Sequence, residues 1–247
     1  AHIHGGEVTE GAFDDSIRHA ITKLSDIHFT AADEYRKRVI QMGENPDRVY
    51  NVGAIGLDAI DRLKLLSEEE LRNDLSIDRR MPYFLVTWHP ETMSIASTVD
   101  NFQEVLRALE SVEEHMCLFT RANNDPMGQA INDELNKYLS RNKTWRVFDT
   151  LGSKKYLSAM KFAKAVVGNS SSGIIEAPAM GVPTINIGDR QKGRLRAASI
   201  IDVKPNGPEI LTAINAAKVK FRKNRKIPYG ISGASLKILS FIKILLT

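Results

Sequence analysis

Short apolar runs alternate with amphipathic stretches along almost the whole of this 247-residue chain, and that alternation limits what it can fold into. The runs at 83–86, 116–119 and 165–167 are apolar throughout, as strands buried on both faces are. Further strands are predicted at 145–148, 184–187 and 200–203, with helices over 98–114, 126–140, 154–161 and 208–219 between them. An earlier series has strands at 2–4, 27–29 and 48–52. They are separated by a helix over 14–24, with Ile17, Ile21 and Leu24 on one face, and by a second helix over 31–42. Strand–helix–strand repetition of this kind builds parallel sheets covered by helices on both faces. The polar stretch 77–81 marks a boundary. The expected organisation is an α/β chain with one unit over 1–76, a second over 77–227, and a last helix within 228–247 that crosses back onto the first.

In open parallel sheets, ligands sit beyond the carboxyl ends of the strands. The polar residues of interest fall there: His89 after the 83–86 strand, Asn123 after 116–119, and Arg190 after 184–187. The most informative is the turn Gly168-Asn169-Ser170-Ser171-Ser172-Gly173, followed by a short helix that carries Glu176 and ends near Gly181. A strand, a small polar turn and a helix start together present backbone N–H groups, the helix dipole and serine hydroxyls to an anion. Glu176 lies one helical turn further in, on the side of Ser172. A phosphate held at the helix tip would bring its sugar hydroxyls within reach of that carboxylate, a geometry suited to a nucleotide-sugar. Ordinary turn and cap formation is the alternative for the same residues.

Composition narrows the field. A single cysteine, Cys117, excludes an internal disulfide and suits a reducing cytoplasm. No apolar run is long enough to span a membrane as a helix. The formal charge of +4 is uneven, with nine Lys or Arg against one acid from Lys204 onward. The basic cluster at 218–226 has only Phe221 as an interleaved aromatic, so it reads as a solvated helix end and nucleic acid is not expected.

A second constellation lies near the start: His2, His4, Glu7, Asp14 and Asp15. A His-X-His strand end is also how some metal hydrolases open their metal site. His28, His89 and His115 do not extend that pattern, so no metal is expected. Asp14 and Asp15 also suit the N-cap of the helix that follows.

Three long motifs now stand in order: His2-Ile3-His4-Gly5-Gly6-Glu7 followed by Asp14-Asp15-Ser16-Ile17-Arg18-His19; then Thr87-Trp88-His89-Pro90-Glu91-Thr92; then the serine turn with Glu176-Ala177-Pro178. Together they resemble the hydrolysing UDP-N-acetylglucosamine 2-epimerases of sialic- and legionaminic-acid biosynthesis. The resemblance implies a fold of two Rossmann-like domains related to GT-B glycosyltransferases, with the first domain incomplete in this chain. It implies a UDP-sugar substrate, no cofactor, a cytoplasmic homo-oligomer, and elimination of UDP followed by hydration. It assigns His89, Asn123, Ser170, Ser171, Gly173, Glu176 and Arg190 to the nucleotide diphosphate. Asp14 and Asp15 go with the reacting sugar, and His89 faces the acidic cluster. Where many sialic-acid enzymes carry a glutamate this chain has His4, so the role passes to His4 or Glu7. The His-Gly-Gly-Glu form is closer to enzymes of diacetamido sugars.

Overall fold

A computed structural model describes residues 1–10, 14–90, 98–122, 127–217 and 227–246; Asn123, Glu91, Thr92 and the basic cluster at 218–226 lie outside them, as does the side chain of Asp14. Two parallel sheets are present among these residues. The first contains β1 (His2–Ile3), β2 (His28–Thr30) and β3 (Val49–Asn51) in that order, with His2 opposite His28 and Phe29 opposite Tyr50. Helices α1 (Asp14–Lys23) and α2 (Asp33–Gln41) follow β1 and β2. A 3-10 turn (Ile55–Leu57), α3 (Asp58–Arg62) and α4 (Glu68–Asp74) lead out of this sheet.

The second sheet holds β4 (Tyr83–Thr87), β5 (Met116–Thr120), β6 (Arg146–Phe148), β7 (Ala165–Gly168), β8 (Thr184–Ile187) and β9 (Ile200–Val203). Its spatial order is β6-β5-β4-β7-β8-β9, and every pairing is parallel. The chain builds outward from β4 in one direction, then returns to its other side, so the order reverses between β4 and β7. That reversal opens a crevice at the carboxyl ends of these two strands. Connecting helices are α5 (Thr98–Glu110), α6 (Gly128–Leu139), α7 (Gly152–Phe162), α8 (Ser172–Ala179) and α9 (Gly207–Ala217).

Strand alternation divides the core. Phe84 and Val86 face one side with Phe102, Leu106, Phe119 and Ile214, whereas Tyr83 and Leu85 face the other with Leu118, Met160 and Val166. The second cluster also takes in Leu71, Leu75 and Ile77 from α4 and its exit. Apolar packing therefore groups α4 with the second sheet, ahead of the expected boundary at 76/77. The helix expected over 98–114 stops at Glu110, and Glu114 takes a left-handed φ of 61° as the chain turns into β5.

After Tyr229 the chain returns to the first sheet as α10 (Ala234–Leu246), whose Ala234 and Ile238 pack with Phe29 and Val52. Its start is held by a buried carboxylate. Asp58 Oδ1 accepts the N–H groups of Gly233 and Ala234 at 2.6 and 3.0 Å, and Oδ2 accepts the Ser235 N–H at 2.8 Å and its hydroxyl. Burial works to raise the Asp58 carboxyl, but these donors outweigh it and hold the group below the ordinary aspartate range.

Two substitutions test this framework. Gly168 has φ of 133°, and a Cβ there would stand 2.0 Å from the Thr87 carbonyl oxygen. Gly168→Ala should cost roughly 2–4 kcal/mol in denaturant unfolding, from backbone strain and overpacking together. Asp58→Ala should cost about 1–3 kcal/mol at neutral pH. Because the folded-state pKa of Asp58 is depressed, its contribution is present above the unfolded value and is lost as pH falls through the folded one. Wild type and Asp58→Ala should therefore converge in stability in acid, and an undiminished gap there would reject the assignment.

Candidate active site

The crevice is closed at its base by one side chain. Asn169 is fully buried and follows β7 directly; its Oδ1 accepts the His89 N–H at 2.8 Å, and its Nδ2 donates to the His89 carbonyl at 2.9 Å. Both hydrogen-bonding edges of the amide thus grip the chain leaving β4, which sets where His89 emerges. The Asn169 carbonyl in turn accepts from Arg190 Nη1 at 3.2 Å and Gln191 Nε2 at 2.9 Å, fixing the loop after β8. Three strand ends are tied through one residue.

The serine turn sits on this clamp. Ser171 takes the N-cap position of α8 without a side-chain capping bond. Ser170 Oγ lies 3.0 Å from Ser172 Oγ, which lies 2.6 Å from the Tyr156 hydroxyl. Tyr156 continues to Thr87 Oγ1 at 3.3 Å, and Thr87 to Thr120 Oγ1 at 2.8 Å. This hydroxyl chain floors an open cleft of about 400 Å³ that His89, Arg121, Asp149 and Leu151 also line. Arg121 Nε donates to Asp149 Oδ1 at 2.8 Å across its rim. Hydroxyls that each donate and accept, next to the tip of an eight-residue helix, suit phosphate oxygens and a polar base. Gly173 has a different reason for its size. A Cβ on it would stand 2.7 Å from Thr184 Cγ2, and its carbonyl accepts from Thr184 Oγ1 at 2.7 Å. Close packing of α8 on β8 demands this glycine.

Glu176 points from α8 toward the first sheet, where its Oε1 would lie 3.2 Å from a Cβ on Gly56. Its Oε2 is buried with no hydrogen-bond partner. Burial pushes its carboxyl above the ordinary glutamate range, while its own backbone N–H and the charges of Arg194 and His4 pull part of the way back. Across from it, Ile55 N–H donates to His4 Nε2 at 3.3 Å. That acceptor role places the ring proton on Nδ1, which donates to Glu7 Oε1 at 2.6 Å. Glu7 Oε2 lies 3.3 Å from Arg194 Nη2. Burial would raise Glu7, but the His4 hydrogen bond and the Arg194 and Arg18 charges outweigh it and hold the carboxyl below its usual range. Two carboxyl groups from different sheets are thus pushed in opposite directions at one boundary, a pattern typical of sites that move protons.

His4 itself leaves the strand expected over 2–4: β1 ends at Ile3, and His4 adopts φ of 67°. Asp15 does not cap α1, which begins at Asp14; its Oδ1 accepts the Thr9 N–H at 2.9 Å and lies 3.2 Å from Arg18 Nη1, bracing the segment that carries Glu7. His2 is a core histidine, buried and 3.0 Å from Thr22 Oγ1. The structure therefore brings His89, Ser170, Ser172, Arg190 and Tyr156 to one crevice, and His4, Glu7, Arg194 and Glu176 to the adjoining boundary. Sequence reading missed Tyr156 and Arg194. Tyr156 was accessible from helical spacing, since it falls one turn after Gly152 at the start of α7. Arg194 gave no signal, because its partner Glu7 lies far away in the chain.

The family model described as UDP-N-acetylglucosamine 2-epimerase matches residues 1–243. The chain belongs to that family. It is 44% identical over 206 residues to the GDP/UDP-N,N'-diacetylbacillosamine 2-epimerase (hydrolyzing) of Campylobacter jejuni, covering 83% of this chain and 54% of the relative. The polysialic acid biosynthesis protein P7 of Escherichia coli is 39% identical, over 98% of this chain and 63% of its own length. The chain thus spans little more than half the length of the curated relatives it matches. Among solved structures, the Methanocaldococcus jannaschii UDP-GlcNAc 2-epimerase in complex with UDP-GlcNAc and UDP superimposes with a TM-score of 0.79 at 19% identity, over 99% of this chain and 68% of the other. That likeness shows the shared fold, the GT-B-like arrangement of parallel sheets.

The unpartnered carboxyl of this epimerase-family chain yields a prediction. A carboxyl whose folded pKa is raised costs stability once ionised, so the cost appears as pH rises through that pKa. Glu176→Gln should stabilise the unliganded protein at neutral pH by about 0.5–2 kcal/mol, the order of a buried polar mismatch. The gain should vanish in acid, where both side chains are neutral; a lower melting temperature at neutral pH would show that the carboxylate is structurally needed.

Proposed function

We propose that this chain forms the nucleotide site and part of the sugar site of a hydrolysing 2-epimerase acting on a UDP-2-acetamido sugar. The observation that carries the reading is the meeting of Glu176, whose Oε2 is unpartnered behind the serine turn, with the Glu7 carboxylate and its hydrogen-bonded His4 across the sheet boundary. In this reading α8 and its serines hold phosphate, Arg190 and His89 neutralise the diphosphate, and Glu176 accepts from the ribose hydroxyls. Asn123 belongs to the same nucleotide set. A base removes the proton at C2 while UDP leaves C1 with the bonding electrons, and the product is a glycal. Water then adds at C1 and a proton returns to C2 from the other face. The two transfers need two acid–base groups, for which Asp14, Asp15 and the His4–Glu7 pair are the candidates. Glu7 enters this chemistry already ionised, with His4 able to share its proton. Closure of the boundary around the sugar would protect the glycal from side reaction.

The sugar proposed is a 2,4-diacetamido one, on the likeness to the Campylobacter jejuni relative and on the His-Gly-Gly-Glu motif. The proposal includes a cytoplasmic homo-oligomer. Among the described residues no helix is long and apolar enough to cross a membrane.

The test uses the full-length protein in deuterated water with UDP-N,N'-diacetylbacillosamine and, separately, UDP-N-acetylglucosamine. Release of UDP with the 2-epimer carrying deuterium at C2 is expected, faster for the diacetamido sugar. A product that keeps its original hydrogen at C2 rejects elimination–hydration, and turnover only with an added sugar acceptor points to glycosyl transfer. Glu176→Gln should weaken UDP binding about tenfold or more, the worth of a charge-assisted hydrogen bond. Equal affinity in calorimetry would remove Glu176 from the ribose.

A further inference from the structure

The loop after β8 does more than carry Arg190. At one end it is bound to the nucleotide crevice, through Arg190 and Gln191 on the Asn169 carbonyl. From there it runs along the segment that bears Glu7. Glu10 N–H donates to the Lys192 carbonyl at 3.1 Å, and Lys192 Nζ pairs with Glu10 Oε2 at 2.9 Å. Gly193, at φ of 88°, lets the two backbones close up, since a Cβ there would stand 2.6 Å from Val8 Cγ1. Arg194 follows with its guanidinium on Glu7, both side chains largely buried. Leu195 N–H then donates to the Tyr35 hydroxyl at 3.2 Å, and that hydroxyl lies 2.8 Å from the hydroxyl of Tyr229. Four consecutive residues, 192–195, each make a contact with the first sheet or its covering elements, while Arg190 and Gln191 hold the other end of the loop to the serine-turn side.

From this seam we infer that the 190–195 loop is a relay that couples nucleotide occupancy to the placement of Glu7, with Arg194 as its positioning residue. The inference rests on the nucleotide reading given above and adds to it a residue that need not touch the substrate. Its physical basis is stiffness. The loop is anchored at both ends by buried partners, so a phosphate that draws Arg190 toward the serine turn moves or tightens the residues that follow. Arg194 passes this to a carboxylate that has no other cation within hydrogen-bonding distance among the described ion pairs. Its Nε is buried and without a hydrogen-bond partner, and its Nη2 is on Glu7 Oε2.

UDP is the informative probe, because it fills the nucleotide site while lacking the sugar that would reach Glu7 directly. Amide hydrogen exchange is followed in the full-length protein with and without UDP, for wild type, Arg194→Gln and Arg194→Lys. UDP should slow exchange at 172–175 in all three. In wild type it should also slow the Glu10 amide, which donates into the loop, by about fivefold or more, the low end of ordinary site-to-site coupling. Arg194→Gln should lose that second effect and lose turnover by about 100-fold, as a misplaced acid–base group does, while keeping UDP affinity within about threefold. Arg194→Lys, which keeps the charge, should recover part of both.

Each other result overturns the relay. Protection at 172–175 with no change at Glu10 in wild type shows that the two sites are uncoupled, whatever any variant does. Equal losses of UDP affinity and turnover in Arg194→Gln make Arg194 a nucleotide ligand, and undiminished turnover makes its ion pair merely structural. No UDP protection anywhere in wild type rejects the nucleotide reading itself, and the relay with it.

Discussion

The architecture of the site depends on the close approach of two backbones where the order of the second sheet reverses. Gly168 lies against Thr87 with no room for a side chain, and Asn169, the next residue, places its amide on both backbone groups of His89. A parallel sheet satisfies its own ladder but leaves each strand's carboxyl end without partners. Here one buried asparagine supplies them for β4 and, through its carbonyl, for the loop after β8. The crevice is therefore preorganised by hydrogen bonds that exist without a ligand. Any group bound there meets donors already in place, so little ordering is required on binding.

Around that fixed base the polar groups are used in two ways. The hydroxyl chain from Thr120 to Ser170 is internally satisfied, and each member retains capacity for a further bond. Glu176 is the opposite case, a buried carboxyl oxygen left unpartnered and destabilising until something arrives to donate to it. Native proteins keep such groups where function repays them. Glu7, buried at 2% exposure, is held ionised because its two oxygens have His4 and Arg194. Burial raises both carboxyls, and Glu7 alone has partners that outweigh it.

The first sheet contributes through its loops. Asp15 and Arg18 brace the segment bearing Glu7 from within α1, and Asp58 pins the start of α10. Tyr35 and Tyr229 join α2 to the returning chain and to the loop after β8. The boundary between the sheets is consequently lined by hydrogen-bonded pairs as well as apolar contacts such as Ile174 with Leu57 and Ala54.

The amino-acid sequence alone determined the alternation of strands and helices, the parallel character of both sheets, and the location of the polar residues at strand ends. These follow from local periodicity and from the short range of turn and cap chemistry, both of which act over a few residues. The motif resemblance likewise needed only order along the chain. What the sequence left open were the relations between distant residues. It could not show that Gly173 is small because Thr184 lies against it, that His4 turns out of its strand to reach Ile55, or that Asp15 braces Thr9 rather than capping its helix. Nor could it pair Arg194 with Glu7. Hydrogen bonds and ion pairs act over a few ångströms in space but carry no mark along the chain, so only the tertiary structure decided them.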